Sequence, residues 1–213
     1  MAALESAAHA KKAVLMDLDN TLYAYAPCHR HALRKAYRTY CRRAGGRRNL
    51  KTFRAFRAAY ERAKALVKQR TGRQAAAHSR LLYFQAMLEA AANGGVFKRS
   101  LLLEKSYWSA FLSHMKRFPW VLPFLKRMKS QGKRVVIVTD LTTEIQLRKI
   151  VRLGLARWID AVASSEEAGA EKPHPRLFRL ALRKARCRPQ DALLIGDDPA
   201  RDKSPLLTSV LIR

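Results

Sequence analysis

Five short apolar runs constrain what this chain can fold into more than any other feature. They are AVLM at 13–16, RVVIV at 134–138, AVA at 161–163, ALLI at 192–195 and SVLI at 209–212. A continuous apolar run of this length suits a strand covered on both faces, as in a parallel sheet. Helical patterns separate the later runs. Residues 121–131 precede the second run, residues 142–153 follow it with Gly154 as C-cap, and residues 175–185 precede the fourth. Strand alternating with helix predicts a doubly wound, Rossmann-like α/β fold, a parallel sheet with helices on both faces.

Residues 24–117 break that rhythm. Leu33, Ala36, Tyr37, Tyr40 and Cys41 recur at the spacing of one helix face. Phe53, Phe56, Tyr60, Ala63 and Val67 form a second such face, and Leu81, Phe84, Met87 and Leu88 a third. Residues 101–115 read as a fourth helix, and Ala44-Gly45-Gly46 and Asn93-Gly94-Gly95 punctuate the series. The expected organisation is a catalytic-type α/β core from 1–23 and 118–213, interrupted after its first strand by a helical insertion over 24–117.

That insertion carries 22 basic and 3 acidic residues in a chain of formal net charge +27. Such an excess suits nucleic acid or another anionic surface. The lack of interleaved aromatic recognition motifs weighs towards solvated, arginine-rich helix faces instead. No apolar run approaches the ~18 residues of a membrane-spanning helix, and the opening MAALESAAHA lacks a signal peptide's apolar stretch. The cysteines, Cys28, Cys41 and Cys187, are odd in number and have no metal-type spacing, which fits free thiols in a reducing compartment. A soluble, cytoplasmic protein without a membrane partner is expected.

The ends of the apolar runs carry the chemistry. The first breaks into Asp17 and Asp19, which project to one side of an extended chain and repel each other unless a cation or proton intervenes. A hard divalent ion suits the pair, and Mg²⁺ is the usual choice beside phosphate. The second run ends in Thr139-Asp140 and the fourth in Gly196-Asp197-Asp198-Pro199-Ala200-Arg201-Asp202. Between them lies Glu171-Lys172-Pro173-His174-Pro175. Parallel strands would gather these acids, the lysine and the threonine at one sheet edge, the inventory for holding a metal and a phosphoryl group.

The segments DLDNTL, VVIVTD, EKPHP and LLIGDDPARD resemble, in order and spacing, the four motifs of the haloacid dehalogenase-like hydrolases. The resemblance covers residues 13–23 and 118–202. The flanking YAYAPCHRHAL and TDLTTEIQLRKI are similar to a branch of small phosphatase-like members. The resemblance implies that Asp17 is a nucleophile, Asp19 a general acid/base, Thr139 a phosphoryl-holding hydroxyl and Lys172 a neutralising cation. It further implies Mg²⁺ held by Asp17, the Asp19 backbone carbonyl and Asp197, with Asp202, at the common five-residue offset, as a ligand or an orienter of metal-bound water. Asn20, Tyr25, His29, Arg30 and Asp140 are candidate substrate contacts. Asp140 has the alternative of capping the next helix, Pro27-Cys28-His29 that of opening one, and Arg80 is a weaker candidate contact.

Asp19 favours phosphate-ester chemistry, because displacement of halide needs no proton. The implied function is a Mg²⁺-dependent phosphatase for a small phosphorylated metabolite, with the helical insertion as a first-type cap. A phosphotransferase of the same family and a basic nucleic-acid binder retaining the fold are the alternatives. The chain departs from the family pattern near its end. Lys203-Ser204-Pro205 stands where a small-residue helix is usual, and Pro205 disfavours a helical Ser204. An uncovered sheet face, exposing apolar surface that a partner could cover, is the expected consequence.

Overall fold

The computed structural model describes residues 2–43, 50–91 and 95–212. Chain order runs α1 (Ala2–Ala8), β1 (Ala13–Met16), α2 (Tyr25–Arg43), α3 (Phe53–Thr71), α4 (Arg80–Ala90), α5 (Val96–His114), α6 (Val121–Ser130), β2 (Arg134–Thr139), α7 (Thr143–Arg152), β3 (Ala161–Ser164), α8 (Ser165–Ala168), α9 (Pro175–Ala185), β4 (Ala192–Gly196) and β5 (Thr208–Leu211). These elements form two compact units. One comprises Met1–Tyr25 with Met115–Arg213, the other Ala26–His114.

In the first unit the five strands make one parallel sheet of order β3-β2-β1-β4-β5. Its register sets Met16 beside Ile137 and Ile195, so the chain leaves the three central strands at one edge. Ala13, Leu15, Val136, Val138 and Leu194 pack against Leu177, Phe178, Ala181, Leu182 and Ala185 of α9. The alternate residues Val14, Met16, Val135 and Ile137 are equally buried, which is why these strands read as continuous apolar runs. Helix α9 begins with Pro175 in its first turn, where a missing N–H costs nothing, and the His174 ring accepts from the Arg176 N–H.

Residues between β4 and β5 form turns without a helix, in keeping with Pro205. The strand β5 itself is only half-buried. Leu207 is buried and Leu206 packs against the same core cluster as α9. Val210, Leu211 and Ile212 are half-buried and line a groove of about 800 Å³ with Leu4, Phe118 and Trp120. Among the described residues the exposed large hydrophobics are Leu66, Phe97, Leu101, Leu147 and Val151, none of them in β5 or the turns before it. No helix among the described residues is long and apolar enough to cross a membrane.

The second unit is helical. Thr52 caps α3 by accepting from the Ala55 N–H at 3.1 Å, and Gly72, at φ 61°, ends it. The interior is aromatic. Tyr40, Phe56, Tyr60, Phe84, Tyr107 and Phe111 are fully buried, with ring centroids of 5.4 Å for Tyr40–Phe56 and 5.3 Å for Tyr60–Phe84. Helix α5 begins at Val96, five residues before the apolar periodicity announces it, because Phe97 and Leu101 face solvent and blur the pattern. The Ala44-Gly45-Gly46 break, with Asn93 and Gly94, lies outside the described residues.

Candidate active site

Asp17 follows β1 directly, its N–H donating to the Ile195 carbonyl at 2.9 Å, so the sheet itself fixes its backbone. Its Oδ1 accepts from Lys172 Nζ at 2.5 Å and its Oδ2 from Thr21 Oγ1 at 2.8 Å. Thr21 Oγ1 also lies 3.2 Å from Asp197 Oδ1. Lys172 Nζ donates a second bond, 2.6 Å, to Asp202 Oδ1. Asp202 Oδ2 accepts from the N–H groups of Asp197 and Asp198 at 3.1 and 3.0 Å, closing the loop after β4 around the carboxylate. That loop requires glycine at its start: a Cβ on Gly196 would lie 2.2 Å from Asp202 Cγ.

Asp17, Asp197 and Asp202 each offer an oxygen within 4.8 Å of the others. Two of the three are deeply buried, and Lys172 is the ammonium among them. Burial pushes the Asp17 carboxyl up to about 7, against the pull of Lys172 and with the help of the Asp202 and Asp19 charges. Asp197 is raised by burial and by Asp202. Burial works to lower Lys172, but Asp17, Asp202 and Asp140 more than offset it and hold the ammonium above the ordinary lysine range. Three carboxylates around one ammonium carry surplus negative charge, and an all-oxygen donor set fits a hard divalent cation such as Mg²⁺.

Asp19 turns elsewhere. Lys149 Nζ, from α7, donates to both of its oxygens at 2.7 and 2.8 Å, and the Tyr23 hydroxyl donates to Oδ1 at 2.5 Å. Asn20 takes the left-handed conformation at φ 66°, tolerable for asparagine, and its Oδ1 accepts from the Tyr25 N–H at 3.0 Å, so it shapes the exit from β1. Thr139 Oγ1 accepts from Gln146 Nε2 at 2.5 Å, and the same amide donates to the Asp140 carbonyl at 2.7 Å.

Asp140 does not cap the following helix; Thr142 stands at that position. Its Oδ1 instead accepts from the Lys172 N–H at 2.9 Å, and its Oδ2 meets the Arg201 guanidinium. It thereby places the lysine that serves Asp17. Pro27-Cys28-His29 lies in the opening turns of α2, as the helix-start alternative held.

Among the remaining candidates, Tyr25 is half-buried in the α/β unit, whereas His29 and Arg30 belong to the helical unit. The His29 Nδ1 lies 2.6 Å from the Tyr107 hydroxyl, and burial, with Arg80 nearby, lowers its pKa to about 4. Arg30 is exposed, while Arg80 is buried over the rings of Tyr83, Tyr107 and Trp108. Thr21, Gln146 and Lys149 escaped the sequence reading. Thr21 stood inside DLDNTL without a role. Gln146 and Lys149 interrupt an apolar face between Ile145 and Ile150, and polar residues at core positions of an amphipathic helix were the available signal.

The class is defined by this geometry and by likeness to known proteins together. The family profile of the haloacid dehalogenase-like hydrolases matches residues 11–205, and the chain belongs to that family. It is 40% identical over 190 residues to a ribulose-1,5-bisphosphate 5-phosphatase of Halopiger xanaduensis, covering 89% of this chain and 78% of that protein. A glyceraldehyde 3-phosphate phosphatase of Methanopyrus kandleri is 29% identical over 191 residues, covering 90% and 77%. Among solved structures, a 2-haloacid dehalogenase from Pseudomonas syringae superposes with a TM-score of 0.71 at 24% identity, over 90% of this chain and 80% of that one. A HAD phosphatase from Thermococcus onnurineus gives 0.65 at 20% identity, over 95% and 86%. These structural likenesses establish a shared fold.

Proposed function

We propose that this protein is a Mg²⁺-dependent phosphatase of short phosphorylated sugars, working through an aspartyl-phosphate on Asp17. The observation that carries this reading is the convergence of Asp17, Thr21, Lys172, Asp197 and Asp202 at one sheet edge, with a second aspartate, Asp19, held separately two residues away. The phosphatase names of the relatives, acting on a sugar bisphosphate and a triose phosphate, support the substrate class.

Asp17 attacks phosphorus while the bond to the leaving oxygen breaks, and Asp19, entering this step in its protonated form, supplies the proton that oxygen needs. Asp19 then takes a proton from water as the water attacks the phosphoryl group and releases Asp17. Lys172 favours the ionised form of Asp17 against the pull of burial and would offset charge on the phosphoryl oxygens. Thr139, whose oxygen accepts from Gln146, donates a long 3.4 Å bond to the Asp140 carbonyl, which its hydroxyl would exchange for one to the phosphoryl group. Mg²⁺, when bound, would draw charge from the phosphoryl oxygens. Asp17 and Asp197 would hold it, with the Asp19 carbonyl. Asp202, whose two oxygens serve Lys172 and two backbone N–H groups, would orient the site rather than ligate.

The helical unit, inserted in sequence after Tyr25, is read as the cap that selects substrate, with Tyr25, His29 and Arg30 as the residues to vary first. A panel of phosphorylated sugars and trioses, assayed with Mg²⁺ against the Asp17→Asn protein, tests the reading. Turnover confined to the unmodified protein is expected. Equal turnover by Asp17→Asn would overturn the mechanism, and inactivity across the panel would overturn the substrate class.

A further inference from the structure

Lys149 is fully buried on α7, a placement that costs free energy unless the ammonium is matched. The match is specific. Nζ donates to both oxygens of Asp19, at 2.7 and 2.8 Å, and lies 5.9 Å from the ring centroids of both Tyr23 and Tyr25. Tyr23, itself fully buried, adds its hydroxyl to Asp19 Oδ1 at 2.5 Å. Donors from two different elements, α7 and the segment after β1, thus converge on one carboxylate. The acidic cluster around Asp17 has its own ammonium in Lys172. Lys149 instead donates to both oxygens of the one carboxylate assigned to move protons.

We propose that Lys149 is a positioning residue for phosphate-ester hydrolysis, fixing the Asp19 carboxylate in the orientation from which it serves the leaving oxygen and then the attacking water. This rests on the reading of Asp19 as the acid/base. Two hydrogen bonds to one ammonium, backed by two rings, restrict the rotation that an aspartate would otherwise have at a loop position. Misplacement of a reacting group by about an ångström costs up to roughly 100-fold in rate, so the restriction has a kinetic consequence. A purely structural ion pair predicts something different: lower stability, with any loss of rate independent of Asp19.

The test is a double-mutant cycle of Lys149→Met and Asp19→Asn, with kcat and KM measured on p-nitrophenyl phosphate and on a sugar phosphate in excess Mg²⁺. Lys149→Met should lower kcat roughly 10- to 100-fold with KM within about twofold. In the Asp19→Asn background the same substitution should cost less than about twofold, because the residue it positions has lost its function. Lys149→Arg should restore most of the rate. Should Lys149→Met fail to fold, Lys149→Gln keeps a donor of similar reach and carries the same cycle, with an expected loss of about threefold or more. Wild-type kcat in the folded Lys149 variant, beside a slow Asp19→Asn, would overturn the proposal alone. An equal loss in both backgrounds would overturn it too. Wild-type kcat in Asp19→Asn would overturn the reading of Asp19 and the proposal with it.

Discussion

The α/β unit buries carboxylates and ammonium groups in matched sets, whereas the helical unit buries rings. Asp17, Asp140, Asp202, Lys149 and Lys172 lie inside the first, each held by a partner from another element. The interior of the second is Tyr40, Phe56, Tyr60, Tyr83, Phe84, Tyr107 and Phe111, with Arg80 its one buried charge among the described residues. The difference has a physical origin. A parallel sheet releases its strands at one edge, where loop N–H groups and side chains meet and can satisfy buried charge. A helix bundle spends its backbone polar groups internally and buries only what its faces carry. Buried charge therefore concentrates in the α/β unit, while the helical unit carries its described basic residues, Arg80 apart, outside an aromatic interior.

The sharpest way to break this contrast is to remove an acid from the proposed metal site. Asp197→Asn should weaken Mg²⁺ binding by about 10- to 100-fold or more, read by calorimetric titration and by loss of the thermal shift that Mg²⁺ produces. Unchanged affinity would take the acidic triad out of the account. Next in size, Phe84→Ala, in the aromatic interior of the helical unit, should destabilise the protein by about 3–5 kcal/mol. Mg²⁺ affinity should stay the same, because none of the three acids comes from residues 26–114. A parallel loss of Mg²⁺ binding in the still-folded variant would show that the units do not divide the work in this way.

The smallest effect concerns His29, which faces Tyr107, Glu61 and Arg80, with Lys64 and Arg57 adding to the surrounding charge. Its native pKa is lowered to about 4 from the ordinary 6.5. The unfolded chain therefore takes up its proton first as pH falls. The stability of the neutral ring is complete above about 6.5 and is lost between there and about 4. Denaturant midpoints at pH 7 and pH 5 should differ by on the order of 1 kcal/mol from this group, and His29→Gln should flatten the difference. An unaltered slope in His29→Gln would place the pH response elsewhere.

The parallel sheet was legible because each strand is apolar along its length, and the acids at its edge because DLDNTL and GDDPARD sit at strand ends. What escaped came from long-range packing. Lys149 meets Asp19 across 130 positions in sequence, and Asp140 holds the Lys172 N–H across 32. Helix α1 carries no long periodic stripe, and only the burial of Leu4 and Ala8 shows why it forms. The packing of Leu206 and Leu207 against the core depends on where β5 docks, which no local pattern encodes.

The central claim, that Asp17 carries the phosphoryl group, is tested most directly by trapping it. The protein is mixed with Mg²⁺ and a turned-over phosphate ester, quenched in acid during steady state, and its peptides are weighed. The account predicts a phosphoryl increment on the peptide containing Asp17, absent from Asp17→Asn together with turnover. Turnover at an undiminished rate in Asp17→Asn, with no phosphorylated peptide in either protein, would contradict it.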